Sequence, residues 1–111
     1  MPSPHHPSAA VQRALRNLGA NIRDARRRRH LPMAVVAERA FTTRATLQRI
    51  EEGDTRVSIG IYAAVLQALG LLAPLGQLAD ISQDRVGQEL SAAELPARTR
   101  LRRSSEKRSD V

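Results

Sequence analysis

MAVVAERAFTTRATLQRIEEG, residues Met33–Gly53, is the stretch from which the rest of the chain is read. As a helix, MAVVAERA places Val36, Ala37 and Ala40 on one side. Phe41-Thr42-Thr43 then interrupts the pattern. RATLQRIEE makes a second helix, with Leu47 and Ile50 on one side and Arg44, Gln48 and Arg49 off that side. Thr43 is a suitable N-cap, because its hydroxyl can accept from a free amide of the first turn. Gly53 suits the left-handed position just past the helix end. Two short helices joined by a turn, the second with a polar and basic outer face, have the form of a helix-turn-helix.

Upstream, Ser8 can cap a helix running to about Arg29. Val11, Leu15, Leu18, Ile22 and Ala25 recur at helical spacing and form a narrow apolar stripe. Gly19 weakens the middle of that helix by about 1 kcal/mol relative to alanine. The part before Gly19 therefore reads as a possible arm rather than core. Arg26–Arg29 is a run of arginines at the helix C-terminus. Such a run suits the helix dipole, and it equally suits phosphate contact.

Downstream, Asp54–Val57 reads as a loop and Ser58 as the cap of a helix from Ile59 to about Leu69. Its inner face is Ile59, Tyr62, Val65, Leu66 and Leu69. Pro74 begins a last short helix through about Ala79, with Leu75 and Leu78 apolar. The expectation is all-α, with five helices and no strand run. Residues 1–8 read as a disordered N-terminus, residues 9–82 as the domain, and residues 83–111 as a partly or wholly disordered tail. Within that tail, Asp84–Leu95 can make a helical turn or two. From Ala97 to Arg108 there are six basic residues against one acid, and apolar content almost vanishes.

Composition narrows the function classes. The net charge is +7 and nearly all of it is arginine, which favours a polyanionic partner, DNA ahead of a membrane surface. Phe41 and Tyr62 are the only aromatics, so there is no stacking platform for single strands. Cysteine is absent, which rules out disulfides and cysteine-ligated zinc. His5 and His6 lack a third ligand, so no metal or other cofactor is expected. No phosphate loop, metal cluster or Ser-His-Asp set points to an enzyme. Met1–Ser8 lacks the basic start and apolar core of a signal peptide. Val57–Ala79 is uncharged and long enough to span a bilayer. Its interruptions at Gly60, Gln67, Gly70, Pro74, Gly76 and Gln77 make it two helices of a folded core instead.

The central stretch resembles the Cro/CI-type (XRE) family of DNA-binding domains, the lambda-repressor-like fold. Ala37 supplies the small residue that the family places midway along the first helix of the pair. Leu47 and Ile50 supply its later aliphatic positions, and Arg49-Ile50-Glu51-Glu52-Gly53 matches its closing motif. The resemblance also implies a buried pairing between Arg26 and Glu51. Two residues depart from the pattern. Phe41 stands where glycine is usual, and positive φ is costly for a bulky residue. Met33 stands at a phosphate-facing position where a polar residue, often glutamine, would brace a phosphate.

The resemblance implies a recognition helix in the major groove of double-stranded DNA. Arg44 and Arg49 would read guanine, Gln48 adenine, and Ala45 would allow close approach to a thymine methyl. Thr42, Thr43, Arg27, Arg28, Arg56 and the Met33 position would face phosphates. A homodimer would read a palindromic operator, meeting through Leu75, Leu78 and Ile81, with the Val11–Leu15 segment as a further contact.

A second likeness concerns Arg49–Leu72, with Gly53-Asp54, Val57-Ser58-Ile59-Gly60, Tyr62 and Val65–Leu72, followed by Val86–Leu90 and Glu94–Arg98. These stretches resemble HipB-like antitoxins, the DNA-binding partners of HipA-type kinase toxins. The implied function is a bacterial, cytoplasmic repressor that binds its own operator and neutralises a kinase. The alternative is a free-standing, phage-like regulator with no toxin partner.

Overall fold

The computed structural model describes residues 6–94. The expectations for Met1–His5 and for the basic tail from residue 95 onward lie outside the described residues. The chain divides into two compact units, one through Leu75 and one from Gly76. The first closes earlier than the boundary at 82 expected from composition. All regular structure among the described residues is helical.

The first unit contains α1 (Ala9–Arg28), α2 (Met33–Arg39), α3 (Arg44–Glu51) and α4 (Ile59–Ala68), and it ends within the single turn of α5 (Ala73–Gly76). Hydroxyls start three of these helices. Ser8 accepts from the Val11 amide, Thr43 from Thr46 and Ser58 from Ile61. Each satisfies one of the amides a helix start leaves without an internal partner. The core is Ile22 and Ala25 of α1, Val36, Ala37 and Ala40 at α2, Leu47 and Ile50 of α3, and Tyr62, Val65, Leu66 and Leu69 at α4. α1 packs on α3, and α2 packs on both α3 and α4. α3 is thereby held on two sides, with its third side outward.

Several expectations are corrected. The segment before Gly19 is a continuous part of α1 and, as expected, not core, since none of its residues is buried; what changes is the role of Gly19 itself. Gly19 is buried, and a Cβ there would lie 2.5 Å from the Ile50 carbonyl oxygen and 2.8 Å from that of Glu51. The glycine lets α1 approach the end of α3. Gly53 answers from the other side. With φ at +78°, its own Cβ would fall 2.5 Å from Arg16 Cα. Ile59 is not on the inner face of α4 but 72% exposed, since it occupies the first turn, ahead of the packed stripe. The last helix stops at Gly76 rather than Ala79.

Two helix ends close through left-handed residues that are not glycine. His30, at φ +53°, follows α1, and the Leu31 amide reaches back to the Arg26 carbonyl. Phe41, at φ +56°, follows α2, and the Thr42 amide reaches back to Ala37. These are Schellman-type closures. The turn of the motif is therefore retained with Phe41 in the glycine position.

In the second unit, a 3-10 turn spans Ile81–Gln83, with Asp80 as its cap. Residues 85–94 are helical, so that part of the tail is ordered over more than the one or two turns expected. The Asp84 carboxylate accepts from the Gly87 amide at the start of this helix, and the Gln88 side chain donates to the Ile81 carbonyl.

Candidate nucleic-acid interface

The outer face of α3 presents Arg44, Ala45, Gln48 and Arg49, all exposed. Leu47 and Ile50 anchor the opposite face with no exposure at all. The two faces follow from the helical period, which sets 44, 45, 48 and 49 away from 47 and 50. Among the described residues, no acid forms an ion pair with Arg44 or Arg49, although Arg49 is near enough to help hold the Asp54 carboxyl low; Glu51 and Asp54 are engaged by Arg26 and Arg56 instead. Acids one turn away would stabilise such arginines on a purely solvated face, and α3 itself has none there. Arg49 instead reaches Thr46 Oγ1 at 3.4 Å, and the Thr43 hydroxyl donates to the same oxygen at 3.1 Å. The cap of α3 and the Arg49 side chain are thus linked on one surface.

The phosphate-facing set is dispersed in character. Thr42 is half-buried and Thr43 exposed. Met33 opens α2, and its side chain is half-buried against the core, with no polar group to offer a phosphate. The N-cap of α2 is Pro32, which offers no side-chain acceptor to the first amides. Of the arginine run, Arg26 turns inward, and Arg29 donates to the Ala25 carbonyl at 2.9 Å and so caps α1. Arg27 and Arg28 are left exposed.

Arg56 carries its own counterion. Its Nε and Nη2 each lie 3.2 Å from an Asp54 oxygen, and its amide donates to Asp54 Oδ1 at 2.8 Å. The Arg56 guanidinium holds the Asp54 carboxyl below its usual range, and in return Arg56 is held more firmly protonated. The loop after α3 is pinned from below by Tyr62, whose hydroxyl donates to the Asp54 carbonyl at 2.8 Å. Burial pushes the phenol up from its ordinary value, so the donor proton stays in place. Sequence reasoning assigned Tyr62 to the core and missed this bond, since its acceptor is a backbone atom. Tyr62→Phe is expected to cost about 1 kcal/mol, read as a lower denaturant midpoint with an unchanged slope.

Arg26 and Glu51 meet in a bidentate pair. Arg26 Nε lies 2.7 Å from Glu51 Oε2, and Nη2 lies 3.1 Å from Oε1. Arg26 Nη1 also donates to the Leu31 carbonyl at 3.1 Å. The side chains are 11% and 6% exposed. One guanidinium therefore ties α1 to the end of α3 and to the loop that leads into α2.

Leu75 packs against the core, whereas Leu78 and Ile81 are exposed. A shallow groove beside the start of α1 is lined by polar groups including Gln12, Arg16 and Thr55. No group of three or more metal-ligating side chains occurs among the described residues. No helix among them is long and apolar enough to cross a membrane.

The family model described as a helix-turn-helix domain matches residues 17–78, more than half of the chain. No curated protein and no solved structure matches the chain.

Proposed function

The chain belongs to the helix-turn-helix domain family, and from that premise, which makes it a DNA-binding regulator, we propose that it is a sequence-specific repressor and the antitoxin of a HipA-like kinase. The observation that carries the repressor reading is the outer face of α3. Arg44 and Arg49 stand exposed there, neither of them in an ion pair. An arginine fork matches guanine O6 and N7, and Gln48 matches adenine. Ala45 between them keeps the helix close to the groove floor. Arg27, Arg28, Thr43 and the free amides at the start of α2 would meet phosphates on either side. Arg56 joins them when a phosphate competes with Asp54 for its guanidinium.

A single recognition helix reads only a few base pairs. Two copies with helices about 34 Å apart read a palindrome. The exposed Leu78 and Ile81 are the side chains we assign to that pairing. The antitoxin reading rests on the resemblance of Arg49–Leu72, Val86–Leu90 and Glu94–Arg98 to HipB-like proteins. On this reading α3 is committed to DNA and the kinase docks elsewhere.

Arg49→Ala is expected to weaken specific duplex binding by roughly 1–3 kcal/mol with an unchanged melting temperature. The measurement is a titration against a duplex selected by the wild-type protein from a randomised pool, repeated over a salt series. Steep salt dependence is expected from counterion release. Equal affinity of variant and wild type would remove Arg49 from the reading set. The partner arm first asks whether a HipA-like kinase is encoded beside this chain and, where one is, co-expresses it with the Arg44→Ala, Arg49→Ala double variant. The variant should lose the operator and still co-purify with the kinase. Loss of both by a folded variant, or no association even with wild type, would favour the free-standing regulator.

A further inference from the structure

Phe41 is the residue that the fold itself does not account for. It is 97% exposed, so its ring contributes nothing to the core. Its φ is +56°, a conformation that costs an L-residue with a Cβ roughly 1–2 kcal/mol. Glycine would hold the same closure, in which the Phe41 amide donates to the Glu38 carbonyl and the Thr42 amide to Ala37, without that strain. A bulky apolar side chain here is thus unfavourable twice over in the free protein. His30 closes α1 with a similar φ; what sets Phe41 apart is that a large apolar ring is added to the strain, and such a combination motivates the hypothesis of a bound partner.

Its surroundings indicate which partner. Phe41 stands two residues before Thr43, the N-cap of α3, at the end of the recognition helix that faces base edges. The exposed side chains next along the chain are Arg39 and Glu38 on one side and Thr43 and Arg44 on the other, two cations against one acid. An apolar protein groove would have to desolvate these cations, whereas a duplex welcomes them. The thymine 5-methyl is the apolar group that the major groove offers to a side chain, and a phenyl ring is one of the groups able to contact it.

We propose that Phe41 is a specificity-determining DNA contact, packing its ring on a thymine methyl beside the bases read by α3. This rests on the DNA-binding reading above and adds to it a residue and a base. It also reverses the significance of the Phe41 departure: the strain at the turn is retained because the ring is needed on the duplex.

The experiment uses full-length protein and a duplex selected by wild type from a randomised pool. Phe41→Gly is compared with wild type in melting and in duplex affinity. Each thymine of the duplex is also replaced singly by deoxyuridine, which removes only the methyl. Phe41→Gly is expected to melt above wild type and yet to bind about ten-fold or more weaker, from the lost burial of one phenyl ring. One thymine-to-deoxyuridine change should weaken wild type, and the same change should leave Phe41→Gly unaffected. Unchanged affinity of Phe41→Gly overturns the assignment and leaves the ring to a protein contact. Weaker binding without any methyl dependence that the variant loses overturns it as well. If wild type selects no sequence at all, the DNA-reading proposal fails instead, which keeps the two failures apart.

Discussion

Glu51→Gln is expected to cost the fold about 3–5 kcal/mol. Glutamine has nearly the volume of glutamate, so packing around the site is preserved and the loss is electrostatic. Glu51 accepts from both Nε and Nη2 of Arg26. In the variant the guanidinium stays shielded, at 11% exposure, but without its counterion. One amide oxygen can take one of the two bonds, while the amide NH2 opposes the other donor. For a small domain with total stability of roughly 5–15 kcal/mol, this is a large fraction. Arg26→Lys should fare little better. A single ammonium cannot bridge both carboxylate oxygens and also reach the Leu31 carbonyl as Arg26 does. The joint replacement Arg26→Met, Glu51→Leu should recover much of the loss, because neither charge then remains buried alone. Denaturant melts of the two single variants and the double give the coupling directly. A Glu51→Gln protein losing under about 1 kcal/mol would show that water reaches the pair and that its weight is that of a surface bridge.

The parts of this fold that depend on side-chain type at a fixed period were legible in the sequence. Leu47 and Ile50 on one side of α3, with Arg44, Gln48 and Arg49 on the other, follow from the helical repeat alone. Ser8, Thr43 and Ser58 announce helix starts because a short hydroxyl side chain is what an N-cap needs. The parts that depend on distance between elements were not legible. Gly19 reads as a weak point of a helix unless the Ile50 carbonyl is known to lie against it. Tyr62 reads as core because nothing in its type names the Asp54 carbonyl as an acceptor. Ile59 has the character of a buried residue and stands exposed, since periodicity gives a face but not where along it the packing begins. His30 ends α1 without the glycine that usually marks such an end. On the candidate interface, exposure of the α3 residues could be read from pattern. The local capture of Arg29 by Ala25, and of Arg56 by Asp54, required coordinates.

Gly19→Ala tests the contact between α1 and α3 through its sign. Alanine in place of glycine within a helix ordinarily stabilises by roughly 0.5–1 kcal/mol. Propensity alone therefore expects a higher melting temperature. The packing expects the opposite. A Cβ on Gly19 would meet the Ile50 carbonyl oxygen at 2.5 Å, that of Glu51 at 2.8 Å and the Gly53 nitrogen at 2.8 Å. All three are backbone atoms, so no side chain can rotate away. The α3 end cannot retreat easily either. Ile50 is fully buried in the core, and Gly53 lies so close to Arg16 that it too has no room for a Cβ. Relief must come from moving α1, which pulls on Ile22 and Ala25 in the core and on the Arg26 bridge one turn further along. Overpacking of this kind costs typically about 1–3 kcal/mol, and contact with three backbone atoms at once places Gly19→Ala toward the upper end. The net expectation is a loss of about 2 kcal/mol after the propensity gain is subtracted. Asn21→Ala supplies the internal standard. Asn21 is exposed on the same helix, so that substitution should show the propensity gain alone. If Gly19→Ala melts with or above Asn21→Ala, α1 slides away from α3 without penalty, and the bridge from Arg26 to Glu51, rather than the glycine contact, sets where α3 stands.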